Sequence, residues 1–177
     1  MHLTKKPSGD LPAVEEVRNT VIEDDGDIVR GLGFVALYAA YLEEQVENLL
    51  VMLAIVEPYD ETKQRWPVSK KIKHAIKVID RLNTEEFPDL TKDLGTCLDL
   101  FEDRNLLIHG RIYGNFDRPD TLKSGRPNIP DREVESAELY KLANEFEVFR
   151  AAVYGPMIFK LPRAITLHLK MKGQRQE

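Results

Sequence analysis

Apolar residues recur along most of this chain at intervals of three and four, a spacing that predicts helices. The strongest run begins at Ile28. Leu32, Val35, Ala39, Leu42, Val46, Leu49, Leu53 and Val56 alternate steps of four and three until Pro58 stops them, which describes one long helix with a continuous seam. The Asp24-Asp25-Gly26-Asp27 cluster ahead of it supplies a turn and then an N-cap, and Leu11 to Asp24 reads as a shorter helix before that. A third helix is expected over Val68 to Leu82, with Ile72, Ala75, Ile76 and Ile79 inward and the lysines outward. A fourth starts after Pro88, where Leu90, Leu94, Cys97, Leu98, Phe101, Ile108 and Ile112 keep helical spacing and Gly110 and Gly114 offer stops.

Gly114 to Asp131 is rich in Gly, Pro, Asn and Asp and predicts a long excursion with a short hairpin. Ser136 is placed to cap a fifth helix reaching Tyr154, with Leu139, Leu142, Ala143, Phe146, Phe149 and Val153 inward. The period then changes. Ile165, Leu167, Leu169 and Met171 alternate with Thr166, His168, Lys170 and Lys172, the pattern of an edge strand or of an arm reaching a partner. The expected architecture is therefore all-α: a bundle of about five helices with an irregular excursion and a C-terminal β-strand. Residues 1–10 read as a flexible start, 11–154 as the helical domain and 155–177 as a basic extension.

With 177 residues, 42% of them apolar, the chain can bury one core without disulfides or metals. A single cysteine, Cys97, and an N-terminus without the apolar run of a signal peptide point to a reducing cytoplasm. Glu43, Glu44 and Glu47 interrupt the longest apolar candidate for a membrane span, so no membrane partner is expected. The net charge of −5 argues against sequence-blind binding to long duplexes, because phosphate contacts need a dense basic surface. It leaves room for a small local phosphate site. Lys70, Lys71, Lys73, His74 and Lys77 form one basic cluster and Lys160, Arg163, His168, Lys170, Lys172 and Arg175 another; both read first as solvated faces.

Chemistry concentrates at Arg104-Asn105-Leu106-Leu107-Ile108-His109 on the fourth helix. At about 100° per residue, Asn105 and His109 project into the stripe of Leu94, Leu98, Phe101 and Ile112, with Arg104 on its border. Leu100 and Leu107 project to the opposite side, so this helix is expected to be buried on two faces, within the domain or at a subunit interface. An isolated inward histidine is best read as a structural one bonded to a carbonyl. Here three polar side chains converge on one turn.

Arg104-Asn105-x-x-x-His109 resembles the Arg-x(4–6)-His motif of the HEPN superfamily, in which a polar residue, often Asn, follows the Arg. The bare pair would arise about 0.3 times by chance at this composition, and Arg163 with His168 is a second instance; requiring Asn after the Arg lowers the figure to about 0.01 and selects the first. The resemblance spans residues 11–154 loosely and is specific only in the hexapeptide. It implies a helical bundle and a metal-independent endoribonuclease of toxin or defence type, leaving a 2′,3′-cyclic phosphate. It also implies a homodimer that brings two motif helices to one cleft, and an antitoxin or other regulatory partner. By that likeness His109 is the base or acid, Arg104 the phosphate clamp and Asn105 the positioner.

The residue types suit that chemistry. An imidazole titrates near cellular pH, with a reference pKa of about 6.5, and a guanidinium stays charged and forks onto phosphate. Five residues on a straight helix separate Arg104 from His109 by about 140°, one reason for a site shared between two chains. Arg111, Tyr113 and Glu43 are further candidates for substrate contact or support, Glu43 or Glu47 by pairing with Arg104 across the bundle; a solvated acidic patch explains the glutamates equally well. The competing function is a non-catalytic module binding RNA or protein, with Asn105 and His109 as buried hydrogen-bonding groups.

No metal or cofactor is expected. His2, His74, His109 and His168 lack partners at metal-ligand spacing, Cys97 lacks a placed base, and Gly31-Leu32-Gly33 lacks both the third glycine and the strand of a dinucleotide loop. Phe34, Tyr38 and Tyr41 form an aromatic side of the long helix, read as packing in preference to base stacking.

Overall fold

The computed structural model describes residues 22–82, 87–114, 120–123 and 128–173. Most of the helix expected over Leu11 to Asp24 lies outside them. The long seam forms α1 (Ile28–Leu53), in which Val35, Ala39, Leu42, Val46, Leu49 and Leu53 are buried. Its start is built as the acidic cluster predicts. Gly26 supplies a positive φ of 83°, where a side chain would be strained, and Asp27 caps the helix by accepting from the Arg30 amide at 3.0 Å. Asp25 ties the turn to a distant helix by accepting from Tyr140 Oη at 2.5 Å, which holds its carboxyl below the usual range.

A short α2 (Glu61–Gln64) leads to α3 (Val68–Arg81), whose inner face carries Ile72, Ala75, Val78 and Ile79. One lysine departs from the expected outward face. Lys71 is only 4% exposed and pairs with Glu47 and, at 3.6 Å, with Glu43. Burial pulls its pKa down, but the bond to Glu47, with Tyr59 and Glu43 behind it, outweighs that and holds the amine charged above its ordinary value.

The motif helix, α4 (Pro88–His109), stops one residue before Gly110, so Ile112 belongs to the following strand and not to the helix. The Gly-rich excursion holds one strand, β2 (Asp120–Lys123), which joins the strands flanking it, β1 (Arg111–Tyr113) and β3 (Arg132–Val134), in an antiparallel sheet of order β1-β2-β3. Buried Leu122 and Val134 fasten it to the core.

Ser136 is the first residue of α5 (Ser136–Phe159) and not its cap; its hydroxyl donates to Asp24 at 3.1 Å instead. α5 continues five residues past Tyr154 and leads into α6 (Leu161–Gly173). This corrects the C-terminal strand. Leu161, Ala164 and Ile165 are buried at helical spacing, whereas Leu167, Leu169 and Met171, which made the alternation, are all more than 40% exposed. Pro162 is tolerated because it sits in the first turn, where its missing N–H has no partner to lose.

The most extensive interface joins α1 and α5, which run side by side in the same direction: Gly31 abuts Leu139 and Tyr140 while Gln45 meets Met157. α4 lies across α5 with Phe101 edge-on to Phe146, ring centroids 5.3 Å apart, and also packs on α3 and α1. The result is a helical bundle with a three-stranded sheet at the C-terminal end of α4. Among the described residues no helix is long and apolar enough to cross a membrane.

Candidate active site

The buried positions of α4 are Leu90, Leu94, Cys97, Leu100, Phe101 and Leu107. Leu100, Phe101 and Leu107 lie four and three residues before Arg104 and three after it, so the buried stripe is centred on the arginine. This reverses the expected order of the three polar residues. Arg104 points into the packed side, Asn105 is half-buried at its edge, and His109 is exposed at the last position of the helix. Leu100 and Leu107 do not define a second buried face; they widen a single one, and that rotation carries His109 outward.

Arg104 is held locally. Its Nη1 donates to Asn105 Oδ1 at 3.0 Å, while its Nε is buried without a hydrogen-bond partner. Among the described residues no carboxylate pairs with it. Glu43 and Glu47 are engaged with Lys71, so the proposed pairing of Glu43 with Arg104 is not made. Asp103, the preceding residue, sits near the Arg132–Glu138 ion pair, where burial and then the Glu138 charge raise its carboxyl above the usual range. Leaving a half-buried guanidinium without a carboxylate among the described residues costs free energy.

The chain leaves the motif through a narrow junction. Gly110 adopts extended backbone at φ −80° and ψ 174°, and a Cβ there would lie 2.5 Å from Leu122 Cδ1, 2.8 Å from the Leu106 carbonyl oxygen and 3.1 Å from that of Lys123. Glycine is thus required by space and not by φ. The close approach seats β1 and β2 against the end of the helix and brings Arg111 opposite Lys123 in the sheet register, both exposed. Two cations directly opposite one another repel. Lys123 is relieved in part by Tyr113, whose ring centroid is 5.1 Å from its ammonium and whose side is 45% exposed.

His109, Arg111, Tyr113 and Lys123 therefore follow one another at the helix–sheet junction, with Arg104 and Asn105 on the preceding turns. Lys123 was not found from the sequence, because only the strand register pairs it with Arg111. Cys97 lies fully buried in the core, where burial pushes its thiol up to about 12, well away from the reactive thiolate range. No group of three or more His, Cys, Asp or Glu side chains among the described residues is placed to hold a metal ion. Set beside models of known families, curated proteins and solved structures, the chain matches none of them.

Proposed function

We propose that this protein is a HEPN-type, metal-independent endoribonuclease whose working site is made by two copies of α4. The observation that carries the reading is the half-buried Arg104 guanidinium, bonded to Asn105 and free of any described carboxylate, one turn before an exposed His109. A structural histidine would be buried and hydrogen-bonded; this one is open to a substrate.

In the reaction, an imidazole takes the proton of a ribose 2′-OH, the oxygen attacks the adjacent phosphorus, and the 5′-oxygen of the next nucleotide leaves with a proton from a second acid. The products are a 2′,3′-cyclic phosphate and a 5′-hydroxyl, with no redox change. Arg104 stabilises the charge that builds on the phosphoryl oxygens, a role in which one lost donor costs about 10²–10³-fold in rate. Asn105 orients the guanidinium. Arg111 and Lys123 supply the flanking phosphate contacts, and Tyr113 offers a ring to an unpaired base. Because His109 lies about 140° around the helix from Arg104, the second acid and the clamp opposite a given His109 come from the partner copy. An RNA substrate and a lone buried cysteine fit a cytoplasmic setting, and the toxin or defence role brings with it an antitoxin or comparable regulator.

Mixing variants tests the shared site. Arg104→Ala and His109→Ala should each be inactive alone, and a refolded mixture of the two should recover part of the cleavage, because half-sites combine in the mixed dimer. A mixture as inactive as its components, in a preparation shown to contain mixed dimers, would overturn the shared site.

A further inference from the structure

Away from the motif, side chains of α1 and α5 enclose an open cleft of about 450 Å³, within the range of small-ligand sites. Tyr38, Tyr41, Glu44, Gln45 and Asn48 line it from α1, Glu147 and Arg150 from α5. Tyr38 and Tyr41 stand edge to face, centroids 5.9 Å apart at 83°, and Tyr41 keeps 45% of its surface exposed. The aromatic side of the long helix is thus only partly used for packing: Phe34 is spent against Tyr140 at 5.7 Å, while the two tyrosines face the cleft.

Gln45 is the unusual member. It is 7% exposed, and its Nε2 meets Met157 Sδ at 3.1 Å. A thioether accepts and cannot donate, so the amide NH2 must face Met157 and the carbonyl oxygen is left toward the cleft. No described residue donates to that oxygen. Arg150 forks two 2.7 Å bonds onto Glu147, an ion pair that offsets both charges, whereas Glu44 has no ion pair among the described residues. The cleft therefore offers an accessible carbonyl acceptor on a side chain that is otherwise buried, an exposed carboxylate without a described ion pair, the Asn48 amide and two tyrosine rings. An anion would meet Glu44, and an apolar ligand would leave the Gln45 carbonyl unbonded.

We propose that this cleft binds a small organic cation carrying N–H donors, an alkylammonium or a guanidinium, with the charge against Tyr38, Tyr41 and Glu44 and one N–H on Gln45 Oε1. The same group could arrive as a free amine or as a Lys or Arg side chain of another protein.

The test is NMR titration of the full chain with putrescine, agmatine and an end-blocked Arg-containing peptide, at constant ionic strength, following the Tyr38 and Tyr41 ring resonances. Saturable shifts with a Kd of about 1 mM or tighter are expected, weakened about tenfold by Glu44→Gln, which alters only an exposed position. Gln45→Leu should weaken binding similarly, and tetramethylammonium, which has no N–H, should bind less well than putrescine. Tighter binding of the peptide would identify the source as a protein side chain, and of the free amines as a small molecule; both support the site. No saturable shift with any of the three, or shifts unaffected by Glu44→Gln, would overturn it.

Discussion

His109→Ala is expected to lower RNA cleavage by about 10²–10⁴-fold, the usual contribution of a positioned acid or base, while leaving the melting temperature nearly unchanged. The two halves of that expectation come from different observations. The loss follows from the proposed role of the imidazole. The nearly unchanged stability follows from its exposure at the last position of α4: no buried group is left unpaired, and a basic side chain in the last turn contributes only about 0.3–1 kcal/mol through the helix dipole. A binding module using His109 as a buried hydrogen-bonding group predicts the reverse: a loss of about 1–3 kcal/mol and no cleavage by any form of the protein. Measuring cleavage and thermal unfolding on the same preparation separates the two.

Gly110→Ala is expected to destabilise the fold by about 3 kcal/mol, the upper end of what overpacking costs, or roughly 6–12 °C in a chain of this length. The added methyl would press on Leu122, whose side chain can turn away, but also on two backbone oxygens, of Leu106 and Lys123, that cannot. Relief requires the end of α4 and the β1–β2 pair to move apart. Since His109 precedes Gly110 and Arg111 follows it, the same movement should lower cleavage by more than the unfolded fraction explains. Urea unfolding gives the first quantity, and activity measured well below the transition gives the second. A Gly110→Ala protein as stable as wild type would show that the junction yields at no cost and does not position the motif.

The helices most legible in the sequence were those whose burial is one-sided. α1 keeps its seam from Val35 to Leu53 because each of those positions faces the bundle, and the Asp24–Asp27 turn was readable because an N-cap and a positive-φ glycine are local requirements. The tail was misread for a physical reason: Leu167, Leu169 and Met171 are exposed apolar residues on α6, and a pattern of exposed residues carries no information about period. Lys71 was assigned outward with the other lysines of its helix; the two glutamates that pair with it lie on another helix.

The site was legible as a motif and not as a geometry. Arg104, Asn105 and His109 stand out because polar groups on an apolar helix need a reason, yet their orientation turned on whether Leu100 and Leu107 belong to the main stripe. Helical projection treated them as a second face, whereas packing against α3 and α5 gathers them into one face centred on Arg104. Lys123 and the Gly110 junction depend on strand register and on a sheet closing over the helix end, neither of which is encoded within a window of neighbouring residues.

The most direct test of the central claim is to incubate the purified wild-type protein in EDTA with an RNA oligonucleotide and with the same oligonucleotide bearing 2′-deoxyribose at the cleaved position. Cleavage of the first to a 2′,3′-cyclic phosphate, with the second left intact, is the predicted result. Cleavage of both, or ends carrying a 3′-hydroxyl, would contradict attack by the 2′-OH and with it the roles given to His109 and Arg104.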